Sequence, residues 1–377
     1  PVLGSGQKLV LAHAYRMAPG MGNLGILYRL RRKLLSTILG LQDTQKLFSS
    51  RVVELPIPST GTLRLTEFPN NLHVEPVNPF EAKQNKITVA EELRKLTDQA
   101  EKVLITREEG VVTFKVPESH AHLRDHSFHV QIPVKYNVDI SMGSQGSVTL
   151  EKIESEDIAV KTVHGSICLK NTKAISNNLV SKFGDIVFVG SVYGSCHLVT
   201  KAPGNIRIAK IQGEKAHFEG SEDVEVEDMY CEKFTSTLVR GLKVKNFHGA
   251  AELIGHYIEL RSVLGSFNIT ASDVMVGIDK LLADSNIVSE GNVRLDLSNQ
   301  VNVKLVLCAP HIEIDYDLDI IDHHKPGNGK EIITCGISAT PSHSVQINSS
   351  TQIVIKKADW FQNLNLLEND STSRYYC

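Results

Sequence analysis

Apolar and polar residues alternate in short runs that return at a nearly constant interval through the middle of the chain. A marker residue recurs every 18 to 20 positions, at Gly146, Gly165, Gly184, Gly204 and Glu222. The second and fourth residues after each marker are always apolar. These ten residues are Val148, Leu150, Ile167, Leu169, Ile186, Phe188, Ile206, Ile208, Val224 and Val226. Alternation of period two with one apolar face predicts a short strand entered through a turn.

Each repeat contains a second short apolar strand before the next marker, as at Ile158 and Val160 or at Leu179. A unit of two short strands cannot bury its own apolar face, whereas stacked copies pair in parallel and share one continuous core. The sequence therefore predicts an all-β fold, a parallel β-solenoid with 19–20 residues per repeat. A β-sandwich also has many short strands, but it does not require a fixed interval between them.

The pattern continues beyond the fifth repeat at Gly241, Gly265 and Gly291. The intervals between these glycines are 24 and 26 residues. Apolar residues stand two and four places after Gly265 and Gly291, as they do after the earlier markers. We therefore expect the same coils here, with longer turns.

The chain divides into five predicted segments. They are residues 1–50, a basic leader that is otherwise disordered; 51–140, a β-rich N-terminal portion; 141–325, the solenoid repeats; 326–367, C-terminal strands and a cap; and 368–377, a disordered tail. The N-terminal portion contains one helical candidate, Glu91–Lys102. We expect residues 330–367 to cover the open end of the solenoid, with Trp360 in the core of this cap.

Composition narrows the class of protein. With 41% hydrophobic and 22% charged residues, the chain is neither disordered nor collagen-like. The sequence contains no run of about eighteen apolar residues, so it predicts no membrane-spanning helix. The net charge of −3 gives no general attraction to nucleic acid, and six cysteines are too few for a disulfide framework.

The basic residues are unevenly distributed. Residues 1–42 contain six bases and no acid, and five apolar residues within them share one helical face: Leu27, Leu30, Leu34, Ile38 and Leu41. An acid-free, Arg-rich amphipathic helix is typical of a mitochondrial presequence. We therefore expect location in the mitochondrial matrix, with an extracellular or cytoplasmic location as the alternatives.

The repeat also resembles a known family. Together with the runs Val130–Pro133 and Val138–Ile140, it is similar to the putative-adhesin domain of unknown function, a bacterial β-solenoid domain. The flanks, residues 63–80 and Trp360–Leu364, resemble an animal branch of that family, the family with sequence similarity 185. The resemblance covers about residues 55–365. It implies the fold and supplies no catalytic residues.

Two aspartates are the candidates for acid–base chemistry. Asp185, Asn205 and Asp223 each follow a marker, so stacking would align them about 4.8 Å apart. Hydrolases and lyases that act on polysaccharides use carboxylates grouped in this way. Asp and Asn also favour turns, and no Arg or His reinforces the column in register, so turn formation is the competing interpretation.

Histidines provide one candidate metal site. His120, His122, His126 and His129 lie close to Asp125, and His120 and His122 are the candidate ligands. Their residue types suit zinc, but their spacing matches no known zinc pattern. Solvated loop histidines are the competing interpretation.

Acidic residues provide a second candidate metal site. Asp315, Asp317 and Asp319 lie on one face of a predicted strand, where carboxylate oxygens suit calcium. Strict alternation of acidic and apolar residues is equally typical of a half-exposed strand.

The sequence contains no phosphate-binding loop, no nucleophile elbow and no Cys-x-x-Cys pair. We therefore expect a non-enzymatic binding or scaffold protein with a protein partner, no cofactor, no nucleic acid and no membrane span. A carbohydrate-active β-helix and an extracellular adhesin-like binding protein are the alternatives. The identity of the partner and the oligomeric state stay open.

Overall fold

The structure is a computed structural model, and all the regular elements in the part of the chain that it describes are β-strands. The described residues are 46–48, 52–68, 71–78, 86–93, 103–108, 110–115, 126–143, 145–201, 203–220, 222–299, 301–315, 318–327, 329–336 and 340–358. The strands are β1 (Lys46–Phe48), β2 (Val52–Pro56), β3 (Gly61–Phe68), β4 (Asn71–Pro76), β5 (Lys86–Leu93), β6 (Val103–Glu108), β7 (Val111–Lys115), β8 (His126–Ile132), β9 (Tyr136–Met142), β10 (Val148–Glu151), β11 (Glu154–Thr162), β12 (Ile167–Lys170), β13 (Lys173–Ser181), β14 (Ile186–Thr200), β15 (Ile206–Glu219), β16 (Asp223–Leu281), β17 (Ser285–Ser289), β18 (Val293–Leu297), β19 (Val303–Ala309), β20 (His311–Asp315), β21 (Asp319–His324), β22 (Glu331–Gly336), β23 (His343–Ser349) and β24 (Gln352–Lys357).

The predicted repeats stack in register as parallel strands. One column of side chains runs through Val148, Ile167, Ile186, Ile206 and Val224, which are successive register partners. The residues two places further on form a second column in the same way. All ten side chains are at most 2% exposed. The predicted parallel β-solenoid is therefore confirmed, and its core is the stacked apolar face of the repeats.

Each central coil has three straight segments rather than the two that alternation predicts. Between β14 and β15 the register shifts twice, which separates a first segment at 186–188, a second at 191–193 and a third at 196–199. The second segment buries one side chain per coil, such as Val192 and Ile211. Three residues with one buried position are too few to show a period of two, so the sequence does not reveal this segment.

After Gly241 the coils first shorten to sixteen residues and then return to nineteen, as between Val274 and Val293, so the prediction of longer turns is wrong. The backbone of Gly265 lies against that of Gly249, sixteen residues earlier. Residues 268–271 pair with β17, while residues 274–278 pair with β18. Gly265 therefore precedes the third segment, whereas Gly291 precedes the first. Glycine is needed at both kinds of turn because neighbouring backbones approach closely there. A glycine in the sequence therefore does not show whether the first or the third segment follows it.

The N-terminal portion extends the same stack. Strands β4 and β8 add in parallel beyond β10, and β9 and β3 add in parallel beyond β11. Antiparallel strands follow on both faces, β5 and β2 on one and β6 and β1 on the other. The helix predicted from Glu91 is wrong at its start, because residues 91–93 belong to β5 and pair with β8. Residues 94–102 lie outside the described residues.

The C-terminal coil is inserted between two earlier ones. Strand β23 lies between β17 and β19, and β24 lies between β18 and β20. Among the described residues of the predicted cap, β23 and β24 lie inside the stack, whereas β22 joins β19 and β21 as an antiparallel edge. Trp360 and the tail 368–377 lie outside the described residues, as does the predicted leader except for β1.

Candidate functional site

The second segments of four successive coils form one outward sheet face, here called the tyrosine face. It consists of residues 191–193, 210–212, 228–230 and 246–248. Each middle residue points inward, and the two flanking residues point outward. Packing of one apolar residue per coil therefore fixes two columns of outward side chains at the spacing of neighbouring strands, about 4.8 Å.

Aromatic and polar side chains fill these two columns. Tyr193 and Tyr230 are 41% and 40% exposed, and Gln212 lies between them in register. The ring of Tyr230 has the Nζ atom of Lys210 5.2 Å from its centroid and the ring of His248 at 6.2 Å. The tyrosine face therefore combines large exposed rings with a cation on a surface held by backbone pairing.

The predicted carboxylate column is present, and its oxygens accept backbone hydrogen bonds. Asp185 Oδ1 accepts from the backbone N–H of Asn205 at 2.9 Å, and Asn205 Oδ1 accepts from that of Asp223 at 3.3 Å. Asp185 also pairs with Arg207 at 2.9 Å, and Asp223 pairs with Arg240 at 3.3 Å. The expectation that no arginine reinforces the column is therefore wrong. The structure does not bring Asp185 and Asp223 together, because the coil of Asn205 lies between them.

Substitutions at Asp185 distinguish a turn role from a role of the charge itself. We expect Asp185→Ala to lower the free energy of unfolding by about 1–2 kcal/mol, because it removes one hydrogen-bond acceptor and one exposed ion pair. Asp185→Asn keeps the acceptor and should cost about 0.5 kcal/mol or less. Urea unfolding of both variants measures this difference. Equal losses would contradict the turn role.

Three neighbouring strands near the N-terminal end hold a group of ionisable side chains, here called the histidine cluster: His73, Glu75, His129 and Glu151. His73 on β4 and His129 on β8 are register partners, with ring centroids 5.1 Å apart. Glu75 Oε1 lies 3.1 Å from His129 Nε2, and Glu75 Oε2 lies 3.6 Å from His73 Nε2. Glu151 Oε2, from the next strand of the stack, lies 4.0 Å from His73 Nε2. All four side chains are partly buried, with exposed fractions from 26% to 35%.

The surroundings hold Glu75 in its charged form. Burial raises the pKa of Glu75, but a hydrogen bond from Gln131 and the adjacent imidazoles outweigh burial, so the pKa lies below its ordinary value. The bond from Gln131 Nε2 to Glu75 Oε1 is 2.9 Å long. The cluster therefore presents a carboxylate, held in place by a second polar side chain, between two imidazoles.

The sequence prediction found one member of this cluster and missed the others. His129 belongs to it, but His120, His122 and Asp125 lie outside the described residues, as does the side chain of His126. The signal that would have found the cluster is the likeness of Leu-His-Val-Glu at 72–75 to Phe-His-Val-Gln at 128–131. Two strands with the same inward and outward pattern place their histidines side by side.

A second histidine group lies on the third segments of two central coils. His197 and His217 are register partners with ring centroids 5.1 Å apart, and Glu219 lies on the same face. Burial and the neighbouring His197 lower the pKa of His217. The Nδ1 atom of His217 is 2.7 Å from the hydroxyl oxygen of Thr235, so this ring is already engaged.

The structure places two of the acidic candidates for calcium on different strands. Asp315 is on β20, opposite Lys356 on β24, and its side chain is exposed. Asp319 is on β21, which pairs with β22 at the antiparallel edge. Asp317 lies outside the described residues. Alternation of exposed acids with inward Ile312 and Ile314 is the half-exposed strand that the competing interpretation described.

One depression on the described surface is lined by residues of strands β3, β6 and β7. It has a volume of about 430 Å³ and is lined by Arg64, Thr106, Glu108, Val111 and Thr113. Its lining contains one carboxylate, and it includes no residue of the histidine cluster or of the second histidine group. Catalytic and small-molecule sites usually lie in enclosed, mostly apolar clefts, so the outward faces are better candidates for function than this depression.

Comparison with known proteins gives a match to a family model and matches to solved structures. A family model described as Toastrack DUF4097 matches residues 71–350. Among solved structures, the chain is similar to a putative adhesin from Bacteroides fragilis, with 8% identity, 84% of this chain and 100% of that chain covered, and a TM-score of 0.30. It is also similar to a putative cell adhesion protein from Clostridium sporogenes, with 9% identity, coverage of 83% and 100%, and a TM-score of 0.19. The family match extends from β4 to β23 and includes the tyrosine face and the histidine cluster.

Proposed function

The chain belongs to the Toastrack DUF4097 family, and from this premise we propose that it is a non-enzymatic binding protein whose tyrosine face contacts a protein partner. The observation that carries the proposal is the column in which Tyr193 and Tyr230 stand about 40% exposed on a sheet face. Tyrosine is enriched at protein interfaces because it buries a large, rigid ring and keeps a polar group for hydrogen bonding. Ile175, 72% exposed, lies beside this face, since its carbonyl oxygen is against Gly194.

The other candidate chemistry supports binding more than catalysis. Asp185 accepts a backbone hydrogen bond at its turn, and both Asp185 and Asp223 pair with arginines, so neither is poised as a general acid or base. Acid–base catalysis needs a group whose proton can be transferred to a bound substrate. A binding face on a solenoid needs only a fixed array of side chains, and the backbone pairing of the coils supplies it.

The tyrosine face is tested by a paired alanine substitution. Proximity labelling followed by mass spectrometry identifies the proteins around the unaltered chain, and the same experiment is repeated with Tyr193→Ala/Tyr230→Ala. We expect at least tenfold lower enrichment of the partner, which corresponds to about 1.4 kcal/mol and is modest for two interface tyrosines.

Phe183→Ala is the matched control for this experiment. Phe183 is 37% exposed but lies outside the tyrosine face, so its substitution should leave enrichment unchanged. Enrichment that survives the tyrosine substitutions, or falls equally with Phe183→Ala, would contradict the proposal.

We also propose that the protein is imported into the mitochondrial matrix. Support comes from the sequence of residues 1–42, with six bases, no acid and one apolar helical face. A fluorescent fusion of the full chain should label mitochondria, and the same fusion without residues 1–45 should label the cytosol. A cytosolic signal from the full chain would overturn this proposal.

An extracellular, adhesin-like binding protein is the second candidate. Asn-x-Ser/Thr sequences begin at Asn268, Asn348 and Asn369. The side chains of Asn268 and Asn348 are exposed on strands that pair with β17, in the column of the third segments. Exposed asparagines in this motif accept N-linked glycans in the secretory pathway. A mass decrease after treatment with a glycan-removing enzyme would favour this candidate over matrix import.

Within the family, we propose membership of the animal branch, on the sequences of residues 63–80 and Trp360–Leu364. A phylogenetic tree of family sequences tests this placement. Grouping of the chain with bacterial sequences would contradict it.

A further inference from the structure

We propose that the histidine cluster binds one Zn²⁺ ion through His73, His129 and Glu75, with Glu151 as the fourth ligand. Imidazole nitrogens and carboxylate oxygens are both ordinary ligands of zinc, which takes four of them in a tetrahedron. The ligand atoms of His73, Glu75 and His129 all lie within 4.8 Å of one another.

The distances fit a metal ion with little movement. Two ligands that each lie about 2.1 Å from zinc in a tetrahedron are about 3.4 Å apart. The contacts of Glu75 with His129 and His73 are 3.1 and 3.6 Å, and the contact of His73 with Glu151 is 4.0 Å. These three distances lie within about 0.6 Å of the ligand spacing that zinc requires.

One atom of the cluster lacks a hydrogen-bond partner within the described part of the chain. The Nε2 atom of His129 is buried, and its approach to Glu75 does not have the geometry of a hydrogen bond. An unpaired polar atom in a partly buried site is costly unless something else binds it. A metal ion between His129 and Glu75 satisfies both groups.

The charges and the supporting contacts also favour a cation. Glu75 and Glu151 lie on adjacent strands of the stack, because Val74 and Leu150 are register partners. Two neighbouring carboxylates repel each other, and a divalent cation between them removes that repulsion. Glu151 is paired through Oε1 with Lys152 Nζ at 2.6 Å, so the ion would bind its Oε2 atom, which lies towards His73. Gln131 donates to Glu75, and such outer contacts orient metal ligands.

An ion bound at this position would link several strands of the fold. The four ligands come from β8, β4 and β10, which are successive strands of one face. A bound ion therefore ties the N-terminal strands to the first regular coil, so it should stabilise the folded chain as any ligand specific for the native state does.

Zinc binding to the full-length, chelator-treated protein tests the proposal. We expect titration calorimetry to show one Zn²⁺ per chain and the melting temperature to rise with added Zn²⁺. His73→Asn/His129→Asn should weaken binding at least 100-fold and remove the thermal shift. Unchanged affinity in this variant would overturn the proposal.

The second histidine group supplies a matched control. His197→Asn/His217→Asn changes the same number of stacked histidines on a different face. The stoichiometry and the affinity of zinc binding should not change in this variant. Loss of binding would show that zinc binds at the second histidine group, and it would contradict the proposal.

Chemical modification of the unaltered protein tests the same site without depending on the folding of a variant. Diethyl pyrocarbonate modifies accessible histidines, and mass spectrometry locates each modified residue. Zn²⁺ should reduce modification of His73 and His129 at least fivefold and leave that of His248 unchanged. Equal modification of His73 and His129 with and without Zn²⁺ would overturn the proposal.

Discussion

Phe188→Ala is expected to lower the free energy of unfolding by about 3–5 kcal/mol, the usual cost of removing a large aromatic side chain from a core. Phe188 is fully buried, and its register partners in the neighbouring coils are Leu169 and Ile208. The backbones above and below are held by parallel pairing, so they cannot close the cavity that alanine leaves. Urea unfolding followed by circular dichroism measures the loss.

Phe183→Ala is the control for the same chemical change. Phe183 is 37% exposed and stacks on His164 with ring centroids 5.0 Å apart. We expect its substitution to cost about 1 kcal/mol or less, because exposed aromatic contacts contribute little beyond their small buried area. Similar losses for Phe183 and Phe188 would contradict the assignment of the core.

Gly165→Ala is expected to destabilise the fold by about 2–4 kcal/mol, at the upper end of the cost of overpacking. A Cβ atom at Gly165 would overlap the carbonyl carbon and oxygen of Gly146 in the preceding coil. Relief requires the two coils to separate, and separation lengthens the adjoining hydrogen bond between Val148 N–H and the carbonyl of Ser166, now 2.9 Å. Thermal and urea unfolding both measure this effect.

Gly327→Ala tests whether the cost comes from contact between coils. Within the described residues, no heavy atom other than those of Gly327 and its chain neighbours lies within 4 Å of the position that a Cβ atom would take there. We expect a change within about 0.5 kcal/mol, as for other exposed substitutions. A loss at Gly327 as large as at Gly165 would show that the flexibility of glycine, rather than the close approach of the coils, is what matters.

The core of the regular coils could be predicted from the sequence because the relevant contacts repeat. Ile167 and Ile186 stand at equal positions of consecutive repeats, so the interval that separates them along the chain also describes how they stack. Alternation of apolar residues then tells which side faces inward. Prediction failed where a segment is too short to alternate, as at Val192.

The histidine cluster could not be predicted in the same way. His73 and His129 are neighbours in the fold but 56 residues apart in the chain, outside the regular interval. Only the similar outward pattern of their two strands connects them. Glu151 joins them through a further strand, and the sequence contains no sign that β10 pairs with β4.

The catalytic interpretation of Asp185 shows a different limit. Its spacing from Asn205 correctly placed both residues in one column. The role of that column depends on what the carboxylate contacts. Arg207 lies two residues after Asn205 and reaches back to Asp185, a contact that the repeat interval does not reveal.

The inserted C-terminal coil also affects how the chain is assembled during synthesis. Strands β19 and β20 leave the ribosome before β23 and β24, yet in the fold the later pair separates them from β17 and β18. From β12 to β18, each new coil can pair with the coil before it as the chain is synthesised. The next strands, β19 and β20, cannot do so, because their parallel neighbours in the fold are β23 and β24. A polypeptide that ends before residue 343 exposes unpaired edges at β17 and β18, and such edges promote aggregation. Synthesis of residues 343–357 thus supplies the strands that cover these two edges.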